Sequence, residues 1–183
     1  MFTPTKTAGF TIIELMVTLA VAAVLLSIAT PNFRDLIQNN RLTTEINTLS
    51  ASLNLAKSEA IKRGIPVTLC KSNDFDSSPS CVAAANWHDG WIVWADGDGD
   101  GALDANEVIR VVNGLTSGTT LEFAIGKDDI VYSPTGFASG YNGTFRLCDD
   151  RGIDSAKGLV VSPSGRVRTA STSNLQSSRG CSN

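Results

Sequence analysis

Asp96, Asp98, Asp100, Asp104 and Glu107 are spaced so that their carboxylates can gather around one hard cation. The stretch 96–107 reads Asp-Gly-Asp-Gly-Asp-Gly-Ala-Leu-Asp-Ala-Asn-Glu. Side-chain oxygens fall at positions one, three, five, nine and twelve of a twelve-residue loop. Ala102 offers a backbone carbonyl at position seven, and Gly101 supplies the sharp turn at six. Leu103, at position eight, is the apolar residue such a loop turns inward. Calcium (Ca2+) fits this pattern, in a structural role that orders the loop. An affinity of about 10⁻⁴–10⁻³ M suffices outside the cytoplasm. The rival reading is an acidic, solvated hairpin, because strands rather than helices are expected on either side.

Gly165-Arg166-Val167-Arg168 offers a second chemistry. On a strand, Arg166 and Arg168 share one face while Val167 points inward. Two guanidiniums spaced this way can grip successive phosphates. Arg179 and Lys157 are candidates to extend the patch. Such binding is backbone-directed, tolerant of sequence and steeply salt-dependent. The alternative is a solvated edge strand whose charges block aggregation.

Glu14 is the third candidate. From Leu15 through Phe33 no side chain is charged. As a helix that run comes close to crossing a hydrocarbon core of roughly 30 Å. A carboxylate at its head costs about 2.5–3.5 kcal/mol on insertion scales and therefore marks a functional site in need of a partner. Snorkelling to the membrane surface is the simpler reading.

Little points to catalysis. His88 is the only histidine, and it lies between Trp87 and Asp89 as a packed residue would. No nucleophile elbow or phosphate loop is present, so neither an enzyme nor an organic cofactor is expected. The net charge of -3 argues against a general nucleic-acid binder. The charge is uneven, however. Acids concentrate between Asp74 and Glu107, and none follows Asp154.

The elements that must position these groups can be read next. Ile46, Leu49, Leu53, Ala56 and Ala60 step by three and four along one helical face. Lys62, Arg63, Gly64 and Pro66 make a helix end. One long helix is predicted over 10–63, kinked or locally melted near Pro31. Strands are predicted at 67–70, 91–95, 108–112, 121–124, 130–133, 144–148, 158–162 and 166–169. Trp87, Trp91 and Trp94 read as core. The Ser/Thr-rich stretch 170–183 reads as a tail or strand extension.

The 183 residues suit one anchor plus one globular domain. Cys70, Cys81, Cys148 and Cys181 all lie outside the anchor, which favours disulfides in an oxidising compartment. Three connectivities are possible. Cys70–Cys81 with Cys148–Cys181 is preferred, since the first closes a short loop and the second ties down the tail. The spacings do not match a zinc site.

Gly9-Phe10-Thr11-Ile12-Ile13-Glu14-Leu15 resembles the class III signal of type IV pilins and type II secretion pseudopilins. An ordinary secretory signal fits worse, because its small-residue cleavage site would follow the apolar region. The resemblance implies that a prepilin peptidase cuts between Gly9 and Phe10 and methylates the new amine. It also implies that Glu14, buried when anchors bundle in a filament, pairs with the free amine of a neighbouring subunit's Phe10.

Three further segments, at 67–72, 90–96 and 162–168, together resemble the GspH/FimT/FimU group of minor pilins and pseudopilins. This implies an α+β, pilin-like fold, with a long N-terminal helix packed on a C-terminal antiparallel sheet domain. The expected division is a leader at 1–9, a transmembrane and assembly segment at 10–32, an amphipathic helix at 33–64 and a β-rich domain at 65–183. The expected location is the bacterial inner membrane, single-pass and with a periplasmic domain, then a fibre at the cell surface. Expected partners are other pilins, the inner membrane and prepilin peptidase. FimT-like minor pilins of naturally competent bacteria carry a Gly-Arg-x-Arg motif linked to DNA uptake. The resemblance thus adds double-stranded DNA as a partner for Arg166 and Arg168. The alternative is a GspH-like pseudopilin that completes the tip of a type II secretion pseudopilus.

Overall fold

The computed structural model describes residues 9–76, 79–124, 126–176 and 181. Helix α1 covers Ile12–Arg63. The helix assignment is continuous through Pro31, so the local melting expected there is not found. Proline deletes one backbone donor, but its fixed φ is itself helical. The chain divides into two compact units, Met1–Asn39 and Asn40–Asn183.

In the first unit Thr11 starts the helix. Its Oγ1 accepts from the backbone N–H of Glu14 at 3.3 Å, as an N-cap residue does. Large apolar side chains in this unit, including Leu19, Leu25, Leu26 and Ile28, are more than half exposed. The helix is long and apolar enough to cross a membrane.

In the second unit α1 turns one stripe inward. Leu42, Ile46, Leu49, Leu53, Ala56 and Ala60 are all buried. Arg63 and Lys62 pair with Glu59 in the last turn, and Gly64 follows. Eight strands come next: β1 (Val67–Lys71), β2 (Gly90–Ala95), β3 (Val108–Asn113), β4 (Thr120–Phe123), β5 (Asp129–Tyr132), β6 (Gly143–Cys148), β7 (Lys157–Val161) and β8 (Val167–Thr169). They form two antiparallel four-stranded sheets, ordered β3-β2-β1-β5 and β4-β6-β7-β8.

The helix stripe and the inner faces of both sheets share one core. Alternation along each strand supplies it: Val67 and Leu69, Trp91 and Val93, Phe145 and Leu147, Leu159 and Val161. Trp87 meets Phe145 edge-on at 5.1 Å, and Phe145 stacks on Phe123 at 4.4 Å. Trp94 instead joins Cys70 and Ile92 in a second, smaller cluster on the other face of the first sheet.

The tail differs from expectation. A short helix, α2, covers Thr172–Gln176. The sequence reads as polar there, yet Leu175 is buried and supplies the missing anchor. Ser171 starts the turn: its backbone N–H and its hydroxyl both donate to Asn174 Oδ1.

Candidate functional site

The arginine pair sits at a tight hairpin between β7 and β8. Gly165 N–H donates to the Ser162 carbonyl at 2.8 Å, and Ser162 N–H donates to the Arg166 carbonyl at 3.0 Å. The Ser162 hydroxyl also accepts from Arg166 N–H at 3.1 Å. Arg166 immediately precedes β8, and Arg168 lies within it opposite Val160. Both arginines are exposed, while Val167 packs against the core.

The hairpin is held from below. Ala138 N–H donates to the Pro163 carbonyl, and Lys57 Nζ on α1 donates to the Ser164 carbonyl. Gly165 has φ +69°, and a Cβ there would collide with the Gly136 carbonyl oxygen. The glycine of the motif is therefore required both by backbone conformation and by close approach.

Lys157 does not join this pair. It lies opposite Leu147, on the same side of β7 as Leu159 and Val161, whereas Arg168 aligns with Val160 on the other side. A strand's two-residue period places Lys157 and Arg168 on opposite faces. Arg179 lies outside the described residues.

The acidic loop joins β2 to β3. Oxygens of Asp96, Asp98 and Glu107 all lie within 4.8 Å of one another. Two ligands on opposite sides of a calcium ion are separated by roughly that distance. Asp100 and Asp104 stand outside this trio, and Ala102 contributes its N–H to Asp100 Oδ1 at 2.7 Å. Glu107 is buried and accepts from the N–H groups of Gly97 and Asp104. Leu103 packs onto the small cluster of Cys70, Ile92 and Trp94, as an inward position eight should.

Two disulfides brace the domain, Cys70–Cys81 and Cys148–Cys181. Next to the second, Asp149 is buried and clasped by Arg151, with Nη2 to Oδ2 at 2.7 Å. Burial works against ionisation of Asp149. The Arg151 hydrogen bonds and the nearby Arg41 charge outweigh it and hold the pKa below the usual value. Burial pushes Asp129 up. Sequence reading missed Asp149, and it missed Glu45, a buried helix carboxylate that accepts from Thr116 N–H at 3.1 Å. Their only sequence signal is a charge inside otherwise apolar spacing.

Comparison with known proteins fits these observations. The profile of the family described as Type II transport protein GspH matches residues 45–165. The chain belongs to this family. The prokaryotic N-terminal methylation motif matches residues 4–30, a span that includes Gly9, Phe10 and Glu14. Members of the GspH family are pilin-like structural subunits that assemble with other pilins and are not enzymes. Solved structures share the fold. The type IV minor pilin FimU of Pseudomonas aeruginosa PAO1 aligns at TM-score 0.55 and 19% identity, over 74% of this chain and 92% of that one. The minor pseudopilin EpsH of the Vibrio cholerae Type 2 Secretion System aligns at 0.51 and 12%, over 72% and 97%. No curated protein sequence matches the chain.

Proposed function

We propose that this GspH-family subunit is a minor pilin of a type IV pilus, of the FimT/FimU kind, that touches DNA during uptake. The apolar half of α1 holds it in the inner membrane with the β-rich domain in the periplasm. Prepilin peptidase cuts between Gly9 and Phe10 and methylates the new amine. Glu14 then pairs with a neighbouring subunit's Phe10 amine as the helix enters the fibre. Pairing turns an isolated charge among apolar helices into a device that fixes register.

The observation that supports DNA contact is the pair of exposed guanidiniums, Arg166 and Arg168, on a hairpin fixed by Gly165. The test is a gel shift of a duplex oligonucleotide by the full-length protein in detergent at low salt. Arg166→Ala with Arg168→Ala should abolish the shift. Equal binding by both proteins would remove DNA from this reading and leave the second one, a pseudopilin of type II secretion. The family description and the likeness to EpsH favour that alternative.

The acidic loop adds a calcium site in the same reading. Asp96, Asp98 and Glu107 supply its first ligands, and Asp100, Asp104 and the Ala102 carbonyl would close in upon binding. The role is structural, drawing the β2–β3 loop into one conformation.

A further inference from the structure

The chain makes the same turn twice. Ser133-Pro134-Thr135-Gly136-Phe137 follows β5, and Ser162-Pro163-Ser164-Gly165-Arg166 follows β7. In each, the glycine N–H donates to the serine carbonyl at 2.8 Å. The serine N–H donates to the carbonyl of the fifth residue, at 2.9 Å in the first turn and 3.0 Å in the second. The serine Oγ accepts from the N–H of that fifth residue, at 3.2 Å and 3.1 Å, and meets the hydroxyl of the third residue at 2.9 Å in both. The two glycines share the left-handed backbone, with φ +79° and +69°. Both turns therefore hold their fifth residue in the same way, and that residue is Phe137 in one and Arg166 in the other.

The turns also touch. Gly165 rests against the Gly136 carbonyl, and Ala138 N–H donates to the Pro163 carbonyl at 2.9 Å. Phe137 and Arg166 each lie one residue past the glycine contact, so their Cα atoms are at most roughly 14 Å apart. Both are exposed. Among the described residues of the second unit, Phe137 and Ile61 are the only large apolar side chains left to water. Scattered apolar residues on a surface are ordinary. These two meet over one glycine, since Ile61 stands against Gly136. Lys57, one turn earlier on α1, donates to the Ser164 carbonyl. The exposed ring is thus set among cations. Two acids come near. Glu59 is two residues from both Lys57 and Ile61, hence on another side of the helix, and it pairs with Lys62 and Arg63. Asp96 follows β2, two strands across from β5 or about 10 Å, and belongs to the cation loop.

We propose that the twin turns form one binding unit for unpaired DNA, in which the Phe137 ring stacks on a base and Arg166 holds a phosphate beside it. Every base has a π-face, so stacking on an aromatic side chain tolerates any sequence. In a closed duplex those faces are covered by neighbouring base pairs, and the ring reaches one only at an end or an opened stretch. The guanidiniums grip phosphates in either form. The inference rests on the DNA reading above and names the form of DNA this face prefers, a single strand or opened end over a closed duplex.

The test measures the affinity of the full-length protein in detergent for two probes, a mixed-sequence single strand and a covalently closed, relaxed duplex circle, across a range of salt. Phe137→Ala should weaken single-strand binding by about 5- to 150-fold, the range for one lost stacked base. It should leave the duplex affinity and both log–log salt slopes unchanged, because the ring carries no charge. Arg166→Ala should weaken both probes and flatten the slope by about 0.7 on the single strand and about 0.9 on the duplex. Phe137→Leu keeps an apolar side chain without a ring and should lose as much as Phe137→Ala. Phe137→Trp should keep the affinity, and the indole it introduces should be quenched by the single strand. Single-strand binding by Phe137→Ala or Phe137→Leu equal to the parent's would overturn the proposal. Lost incorporation into fibres with unchanged DNA binding would also overturn it and give the patch to a neighbouring subunit. A parent protein whose binding to both probes ignores Arg166 and Arg168 would instead overturn the DNA reading beneath it.

Discussion

Gly165 rests against the carbonyl oxygen of Gly136, leaving no room for a side chain between the β7–β8 turn and the loop before Ala138. Gly136 in turn meets Ile61 of α1. The arginine hairpin is thus braced on a loop that is itself braced on the helix.

Gly165→Ala should therefore destabilise the domain and misplace Arg166. The left-handed backbone alone costs about 1–2 kcal/mol. Thermal unfolding should fall by about 2–4 °C for each kcal/mol in a chain of this size. DNA affinity should drop with both arginines intact. A variant that melts earlier but binds DNA as the parent does would show that the turn does not position the pair.

Glu14→Ala should abolish incorporation into surface fibres. The N-cap bond runs from the Glu14 backbone N–H to Thr11 Oγ1, so it survives the substitution. What is lost is the carboxylate, including a favourable helix-dipole contribution of about 0.3–1 kcal/mol. Immunoblotting of sheared fibres reads the outcome, and normal levels of the variant would refute the pairing. Mass spectrometry of the parent should find methylated Phe10 as its first residue.

Calcium should raise the unfolding temperature of the full-length protein, and chelation should reverse it. At 100 times the dissociation constant the gain is about 2.7 kcal/mol. Magnesium, which demands tighter octahedral geometry, should do less. Glu107→Gln should erase the calcium response. An unfolding temperature indifferent to millimolar calcium would leave the solvated-hairpin reading.

Acid should weaken the fold partly through Asp149. Its pKa is lower folded than unfolded, so its stabilisation is complete above the ordinary aspartate range. That contribution is lost as pH falls through the depressed folded value. Asp129 has the opposite sign: its raised pKa makes ionisation costly in the fold, and falling pH relieves that cost. Unfolding temperature followed from pH 7 to pH 3 should drop less steeply for Asp149→Asn than for the parent. Parallel curves would assign the acid lability elsewhere.

The sequence carried most of the architecture. β-branched and aromatic runs located all eight strands to within a residue or so, because each strand has one face in the core. The helix stripe from Ile46 to Ala60 was legible for the same reason. What alternation cannot convey is what covers the outward face. Phe145-Arg146-Leu147 alternates so that Arg146 faces away from the core, yet Arg146 is buried, which alternation alone does not convey. Lys157 was misjudged because its face depends on register with Leu147, not on nearness in sequence to Arg166. Of the acidic loop, the spacing predicted five carboxylates converging, and three meet.

Cys70, Trp94 and Leu103 gather in one small apolar plug, and Cys70 is bonded to Cys81. The wall on which Leu103 leans is therefore fixed by a covalent bridge, so the disulfide and the carboxylate-bearing turn share one support. Reduction of that bridge should loosen the turn that carries Asp96, Asp98 and Glu107, with no change to any of the three carboxylates.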